Sequence, residues 1–284
     1  MASFQSSTCE SIVTDEFLMA RVTQIHASIS KLESLRPSKQ VNTLFTQLVT
    51  LCTLPSSIDI TNLPSEVQLM RESLIKLCGQ AEGLLELQFA NFLINIRRPL
   101  EHLDVFPYYG NYVKLASLEH RILYENGVVN PKKVAFIGSG PMPLTSFILA
   151  TDHMKTTHFV NFDIDESANS VAHQIVTSNP KLESRMKFET CDIMEVKDGL
   201  AEFDCIFLAA LVGMDKKEKM KILAHVGRYM KAGGILLLRS ANGARGFLYP
   251  VIEENDLAGF QILSIFHPTN DVINSVVLVR KPLL

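Results

Sequence analysis

The run Val134-Ala-Phe-Ile-Gly138-Ser139-Gly140-Pro-Met142-Pro143 is apolar until it stops at a Gly-x-Gly turn. Its β-prone residues predict a buried parallel strand, and the two glycines let the backbone turn and approach a ligand with no Cβ in the way. A second apolar run, Phe159-Val-Asn-Phe162-Asp163-Ile-Asp165, ends on two acids. A carboxylate at the end of a second parallel strand is placed to meet ribose hydroxyls, so Asp163 or Asp165 is the candidate for that contact. The pair of signals reads as the start of a nucleotide-binding unit.

The kind of nucleotide follows from what the loop lacks. A dinucleotide fingerprint is G-x-G-x-x-G, but the sixth position here is Pro143, which removes the glycine that packs helix against strand. A lone Gly-x-Gly also serves as a plain strand–helix corner, so the weight comes from later residues. Thr190-Cys191-Asp192 follows a third strand, Phe203-Asp204-Cys205 enters a fourth, and Met230-Lys-Ala-Gly233-Gly234 precedes a fifth. These fit an S-adenosylmethionine (SAM) fold better than a dehydrogenase, and SAM has no pyrophosphate to cradle. Asp192 read by itself is equally a solvated loop acid.

Those residues need a scaffold. Strands are predicted at Val134–Ile137, His158–Phe162, Met186–Thr190, Cys205–Leu208 and Ile235–Arg239, each followed by a helix or loop, the grammar of a doubly wound parallel sheet. Phe260–Phe266 and Ser275–Arg280 form a closing hairpin, which appends antiparallel strands to the sheet as in SAM-dependent methyltransferases. Ahead of this, from about Glu10 to Leu123, apolar residues recur at helical spacing, with breaks at Pro37, Pro55, Pro64 and Pro99 that divide the region into several short helices. Serines after the prolines are placed to cap the helices that follow. The grammar changes at Glu125-Asn-Gly-Val-Val-Asn-Pro131. The expected architecture is α/β: a helical N-terminal lid domain over residues 1–118 and a Rossmann-like SAM-binding domain over 119–284.

Composition narrows the partners. With 47% hydrophobic and 20% charged residues and a formal charge of −3, the 284-residue chain has ordinary globular composition and no general attraction for nucleic acid or anionic lipid. Five cysteines, Cys9, Cys52, Cys78, Cys191 and Cys205, are scattered without C-x-x-C spacing, which argues against a disulfide framework or zinc site and for a reducing cytoplasm. Nothing near Met1 resembles a signal peptide, and no apolar run approaches membrane-spanning length. The eight histidines form no ligand-spaced group, so no metal is expected. A small-molecule ligand is the expected partner, and a homo-oligomer is left open.

Long blocks of the chain resemble the nicotianamine synthase family, its plant-type members in particular. They are Leu77-Cys-Gly-Gln-Ala-Glu82-Gly-Leu-Leu-Glu86, Phe106-Pro-Tyr108-Tyr109-Gly-Asn-Tyr112, Ala135-Phe-Ile-Gly-Ser-Gly-Pro-Met-Pro, Phe207-Leu-Ala-Ala-Leu-Val-Gly-Met-Asp-Lys216 and Gly243-Ala-Arg245-Gly-Phe-Leu-Tyr-Pro250. The resemblance, from about Val13 to Lys281, implies condensation of three SAM molecules into the metal chelator nicotianamine with release of three methylthioadenosines. Two departures stand out. The family usually has histidine where this chain has Asn242, and tyrosine is commoner than Phe162 before the acid. Asparagine cannot take up a proton near neutral pH, so no essential base is expected at 242.

The implied reaction displaces methylthioadenosine from the γ-carbon of one SAM by the α-amine of another. The sulfonium is already a good leaving group, so the protein must supply alignment and a path for the amine's proton. Glu82 is the first candidate, because Gly79 and Gly83 open space beside it; the plain reading is that Glu82 and Glu86, four residues apart, belong to an exposed helix face. Tyr108 and Tyr109 are next, held on a loop by Pro107, with Tyr112 behind; each could equally be a packing residue. Arg239, at the end of the fifth strand, is the candidate clamp for a substrate carboxylate, with Arg245 second; an ion pair with a neighbouring acid is the ordinary fate of such an arginine. Lys216, Lys217, Lys219 and Lys221 read as a solvated face. SAM should lie over Gly138, Ser139, Gly140 and Met142, its ribose by Asp163 or Asp165 and its adenine by Asp192 and Leu211, with the helical half as a lid. Alternatives on the same fold are a small-molecule SAM-dependent methyltransferase and a catalytically silent SAM-binding protein.

Overall fold

The computed structural model describes residues 13–283; Cys9 and the segment that follows Met1 lie outside the described residues. Four helices come first: α1 (Asp15–Ile29), α2 (Lys39–Thr53), α3 (Ser65–Leu93) and α4 (Tyr109–Glu125). Thr14 and Ser38 sit in extended backbone and accept from the amides of Phe17 and Val41, which satisfies donors that the first helical turn leaves open. Ser65 does not cap its helix; it begins α3 behind Pro64 with no side-chain cap. At 29 residues α3 is longer than the short helices the proline breaks suggest, and it runs through Gly79 and Gly83 unbroken.

The remainder alternates strands and helices: β1 (Lys133–Ile137), α5 (Leu144–Ile148), β2 (His158–Asp163), α6 (Glu166–Thr177), α7 (Pro180–Glu183), β3 (Met186–Thr190), β4 (Cys205–Leu208), α8 (Lys216–Tyr229), β5 (Ile235–Ser240), β6 (Gln261–Phe266) and β7 (Ser275–Arg280). They form one 7-stranded sheet in the order β3-β2-β1-β4-β5-β7-β6. The first five strands are parallel, and β7 lies antiparallel between β5 and β6, as the closing hairpin predicts. The direction of the order reverses at β1 and β4, so the loops after these strands flank a cleft at the carboxyl edge, where open α/β sheets bind ligands. Central strands are buried on both faces, which is why they read as continuous apolar runs rather than alternations.

One face of the sheet packs Phe136, Phe207 and Leu237 against Leu115, Ile122 and Leu123 of α4. The other packs Ile137, Ile206 and Leu238 against Leu223 and Val226 of α8. A third cluster holds α1, α2 and α3 together around Leu18, Leu48 and Leu74, and it includes Phe247, Leu248 and Ile273 from beyond β5. The division expected at residue 118 therefore falls inside α4, whose apolar stripe covers the sheet. The helical half also draws in Gly243–Phe247, with Arg71 Nε donating to the Gly246 carbonyl at 2.6 Å. No helix among the described residues is long and apolar enough to cross a membrane.

Candidate active site

Gly138 and Gly140, at φ of 79° and 64°, form the turn after β1. A Cβ on Gly138 would lie 2.1 Å from Val212, and one on Gly140 would lie 2.8 Å from Glu86 Oε2. Both the conformation and the space thus require glycine. Asp163 fixes the turn from the neighbouring strand: its Oδ2 accepts from the Gly140 amide at 2.7 Å and its Oδ1 from the Asp165 amide at 3.0 Å. Asp165 caps α6 by accepting from the amides of Ser167 and Ala168, and Asp192 accepts from the Met194 amide. All three acids face a cavity of about 620 Å³, also lined by Gly138, Ser139, Gly140, Met142 and Leu211. Every predicted SAM-contacting residue therefore meets at one cleft. The acids retain acceptor capacity, since a carboxylate has about four lone-pair sites.

The opposite wall is helix α3. Gly79 admits the β4–α8 loop, with Met214 Sδ 3.2 Å from where its Cβ would stand, and Gly83 has nothing within 4 Å of its own. Glu82 and Glu86, one turn apart, both face inward; neither belongs to an exposed helix face. Glu82 Oε2 accepts from Tyr249 Oη at 2.8 Å, and the Tyr112 hydroxyl lies 3.3 Å from Glu82 Oε1 and 3.1 Å from Glu86 Oε1. Burial pushes both carboxyls above the usual range. For Glu82 the two phenols and Arg239 oppose that push, whereas for Glu86 the charges of Glu82 and Asp163 add to it and hold it well above. The phenols of Tyr112 and Tyr249 are themselves held well above their usual value by burial and by these carboxylates.

Glu82, Tyr112, Tyr249 and Asn274 also line a second cavity of about 300 Å³, bounded by α2, by α3 and by the segment that leads into α4. Tyr108 opens onto this second space, just before α4. Tyr109 is the first residue of α4 and lines neither cavity. The expected pair of loop tyrosines is thus split, and the phenols that touch Glu82 are Tyr112 and Tyr249.

Arg239 is where the strand end predicts, at the cavity edge, but its guanidinium is already held. Nε and Nη2 donate to Glu119 at 2.7 and 3.0 Å, and Nη2 also donates to Thr145. Glu119 is 0% and Arg239 7% exposed. The expected bidentate clamp therefore grips an internal carboxylate, because α4 lays Glu119 beneath it. Arg245 donates to the Asn270 carbonyl and lines neither cavity, and Asn242 is exposed away from both. Lys219 departs from its expected solvated face. It is 3% exposed, and its Nζ donates to the Ala210 carbonyl at 2.8 Å behind the β4–α8 loop. Burial pushes its ammonium down to about 7. Lys216, Lys217 and Lys221 remain exposed.

Sequence reasoning gave no role to Tyr249 or Asn274, and it read Glu86 only as a helix-face partner. Glu86 had a signal in its i,i+4 spacing from Glu82. Tyr249 lies in one of the family-like blocks but nothing local marks it as a site residue, and Asn274 had no signal, because both reach the site from beyond β5. Asn274 is 8% exposed and its Nδ2 has no protein partner, so it presents a donor where the two cavities meet. Among the described residues no cluster of three or more His, Cys, Asp or Glu could hold a metal.

A Rossmann-like sheet with a glycine turn, acids on successive strand ends and a closing antiparallel hairpin defines the SAM-binding class of enzyme folds. Comparison with known proteins narrows the class. Residues 9–284 match the family model for nicotianamine synthase protein, and the chain belongs to the nicotianamine synthase family. It is 53% identical to the nicotianamine synthase of Solanum lycopersicum over 264 residues, 93% of this chain and 83% of that one. It is 54% identical to nicotianamine synthase 3 of Arabidopsis thaliana, covering 94% and 84% of the two chains. Among solved structures it is similar to a glutamate-to-glutamine variant of MtNAS in complex with S-adenosylmethionine, with a TM-score of 0.77 at 22% identity, covering 93% of this chain and 98% of that one. MtNAS in complex with MTA and tNA gives 0.76 at 20% identity, over the same shares of the two chains. At these identities the structural likeness is one of fold.

Proposed function

We infer that this chain is a nicotianamine synthase: it condenses three SAM molecules by successive aminocarboxypropyl transfers and an azetidine ring closure, releasing three methylthioadenosines. The observation that carries the mechanism is the position of Glu82. It stands in the wall common to two cavities, with Tyr112 and Tyr249 on its oxygens.

We propose that the larger cavity holds the donor SAM and the smaller one the acceptor amino acid or growing chain. Glu82 takes a proton from the acceptor ammonium. The freed amine attacks the γ-carbon of the donor, the C–N bond forms, and the C–S pair leaves on the sulfur of methylthioadenosine. Alignment of amine, carbon and sulfur is the main task, and ideal positioning contributes up to about 7–11 kcal/mol. The phenols keep Glu82 ionised enough to act as base despite its burial, and Arg239, neutralised by Glu119, supports that charge at longer range. Asn274 offers a neutral donor to a substrate carboxylate. The helical half shields the intermediate from water between couplings. The reading requires no bound metal. Its product is a metal chelator for iron homeostasis, and the enzyme works in the cytoplasm.

The test is purified protein incubated with SAM alone, before and after chelator treatment, with mass spectrometry of the products. Nicotianamine with about three methylthioadenosines per molecule is the expected result. S-adenosylhomocysteine would signify a methyltransferase, and bound SAM without product a silent binder.

A further inference from the structure

Tyr112 Oη contacts a carboxylate oxygen on each side, Glu82 at 3.3 Å and Glu86 at 3.1 Å, but a phenol has one proton to donate. Two full hydrogen bonds form here only if the phenol donates to one carboxylate and accepts from the other as a protonated carboxyl. Glu82 already accepts from Tyr249 at 2.8 Å, which favours its ionised form, so the shared proton resides on Glu86. The resulting chain is Glu86 O–H to Tyr112 O–H to Glu82 carboxylate. Its far end opens on the donor cavity, where Glu86 Oε2 occupies the space a Cβ on Gly140 would need and shares the cavity lining with Asp163.

Condensing three SAM cations to an uncharged zwitterion and three neutral thioethers releases three protons. Each must leave Glu82 before the next coupling begins. We propose that Glu86 is the relay residue that reloads Glu82, acting through Tyr112. After the acceptor ammonium protonates Glu82, Glu86 gives its proton to water in the larger cavity. Tyr112 then passes its hydroxyl proton to Glu86 and takes the one on Glu82. No bond between heavy atoms changes, each site ends with the protons it began with, and one proton reaches solvent. The groups that face this chain are Tyr249, Arg239, Asp163, Cys78 and Tyr108; Arg239 is the cation among them. The burial that holds Glu86 protonated also makes it a ready donor once a second proton reaches Glu82.

The relay rests on the synthase reading, and its test separates the two. Full-length wild type, Glu86→Gln and Tyr112→Phe are mixed with excess SAM in rapid-quench experiments that count methylthioadenosine per enzyme. Expected in Glu86→Gln is a first displacement slowed by no more than about threefold, followed by steady-state release slowed at least about tenfold, toward the roughly 10²–10⁴-fold of proton-transfer assistance; Tyr112→Phe, which also takes a phenol from Glu82, slows both phases. A burst of about one methylthioadenosine per enzyme thus appears in Glu86→Gln that wild type lacks. Glu86→Asp, which keeps a carboxyl, restores part of the steady-state rate. Equal slowing of first and later displacements in Glu86→Gln, or unchanged steady-state release in either variant, would overturn the relay. SAM affinity weakened about tenfold in Glu86→Gln would do the same, since Glu86 would then be a ligand contact. Wild type that releases no methylthioadenosine from SAM would overturn the synthase reading, and the relay with it.

Discussion

Replacing Arg239 by Met separates two uses of a buried arginine. The guanidinium donates to both oxygens of Glu119, which is 0% exposed, and to Thr145, and it lies 5.3 Å from the centre of the Phe136 ring. Methionine fills much of the volume but leaves the Glu119 carboxylate without its cation. Breaking a buried pair from one side costs about 3–5 kcal/mol, because the remaining charge is stranded in a poorly polarisable interior. For a chain of this size each kcal/mol moves the melting temperature by about 2–4 °C, so the drop is on the order of 10 °C. Adding Glu119→Leu removes the stranded charge and should return most of that loss, since a pair replaced by well-packed apolar groups is often near neutral. The assay is thermal unfolding of both variants, followed by SAM-dependent product formation at a temperature where each is folded. If Arg239→Met melts within about 2 °C of wild type while KM for SAM rises sharply, the guanidinium serves substrate rather than Glu119, and the structural argument fails.

Three further perturbations test the site and its supports. Tyr249→Phe removes a hydrogen bond that favours ionised Glu82, so the carboxyl rises further above its usual range. The acidic limb of the kcat/KM profile should then move to higher pH by roughly one to two units, and an unmoved limb would exclude Glu82 as the group that titrates there. Lys219 has a folded-state pKa of about 7, below its unfolded value. From about pH 7 to 10 the unfolded chain binds the extra proton, and stability should gain about 1.4 kcal/mol per pH unit from this residue. Urea midpoints should show that slope in wild type relative to Lys219→Met, and parallel curves for the two proteins would refute it. Gly138→Ala places a Cβ 2.1 Å from Val212 at φ 79°; calorimetry should find SAM affinity weakened at least about tenfold, whereas unchanged affinity would show that the loop can move aside.

Local sequence determined a great deal. All seven strands fall close to where apolar runs and turn residues place them; β1, β4 and β5 are buried on both faces and so must be apolar along their length, whereas the outer strands β3 and β6 are partly exposed and carry polar residues. The glycines at 138 and 140 were legible for a similar reason: a left-handed turn against a ligand cleft leaves few other choices. The acids at 163, 165 and 192 could be assigned to the cleft from their positions after strands. Family likeness in long blocks added Glu82, which neither periodicity nor composition could distinguish from a surface acid.

Tertiary structure decided what each charge and hydroxyl touches. Arg239 has the same strand-end position whether it grips substrate or Glu119, and only the crossing of α4 over the sheet brings Glu119, 120 residues away, beneath it. Lys219 belongs to a lysine-rich stretch that looks solvated until α8 is laid against the β4–α8 loop. Tyr249 reaches Glu82 across 167 residues because the segment beyond β5 folds back into the helical half. Sequence periodicity records which face of an element is apolar, and it is blind to which polar groups two such faces bring together when they pack.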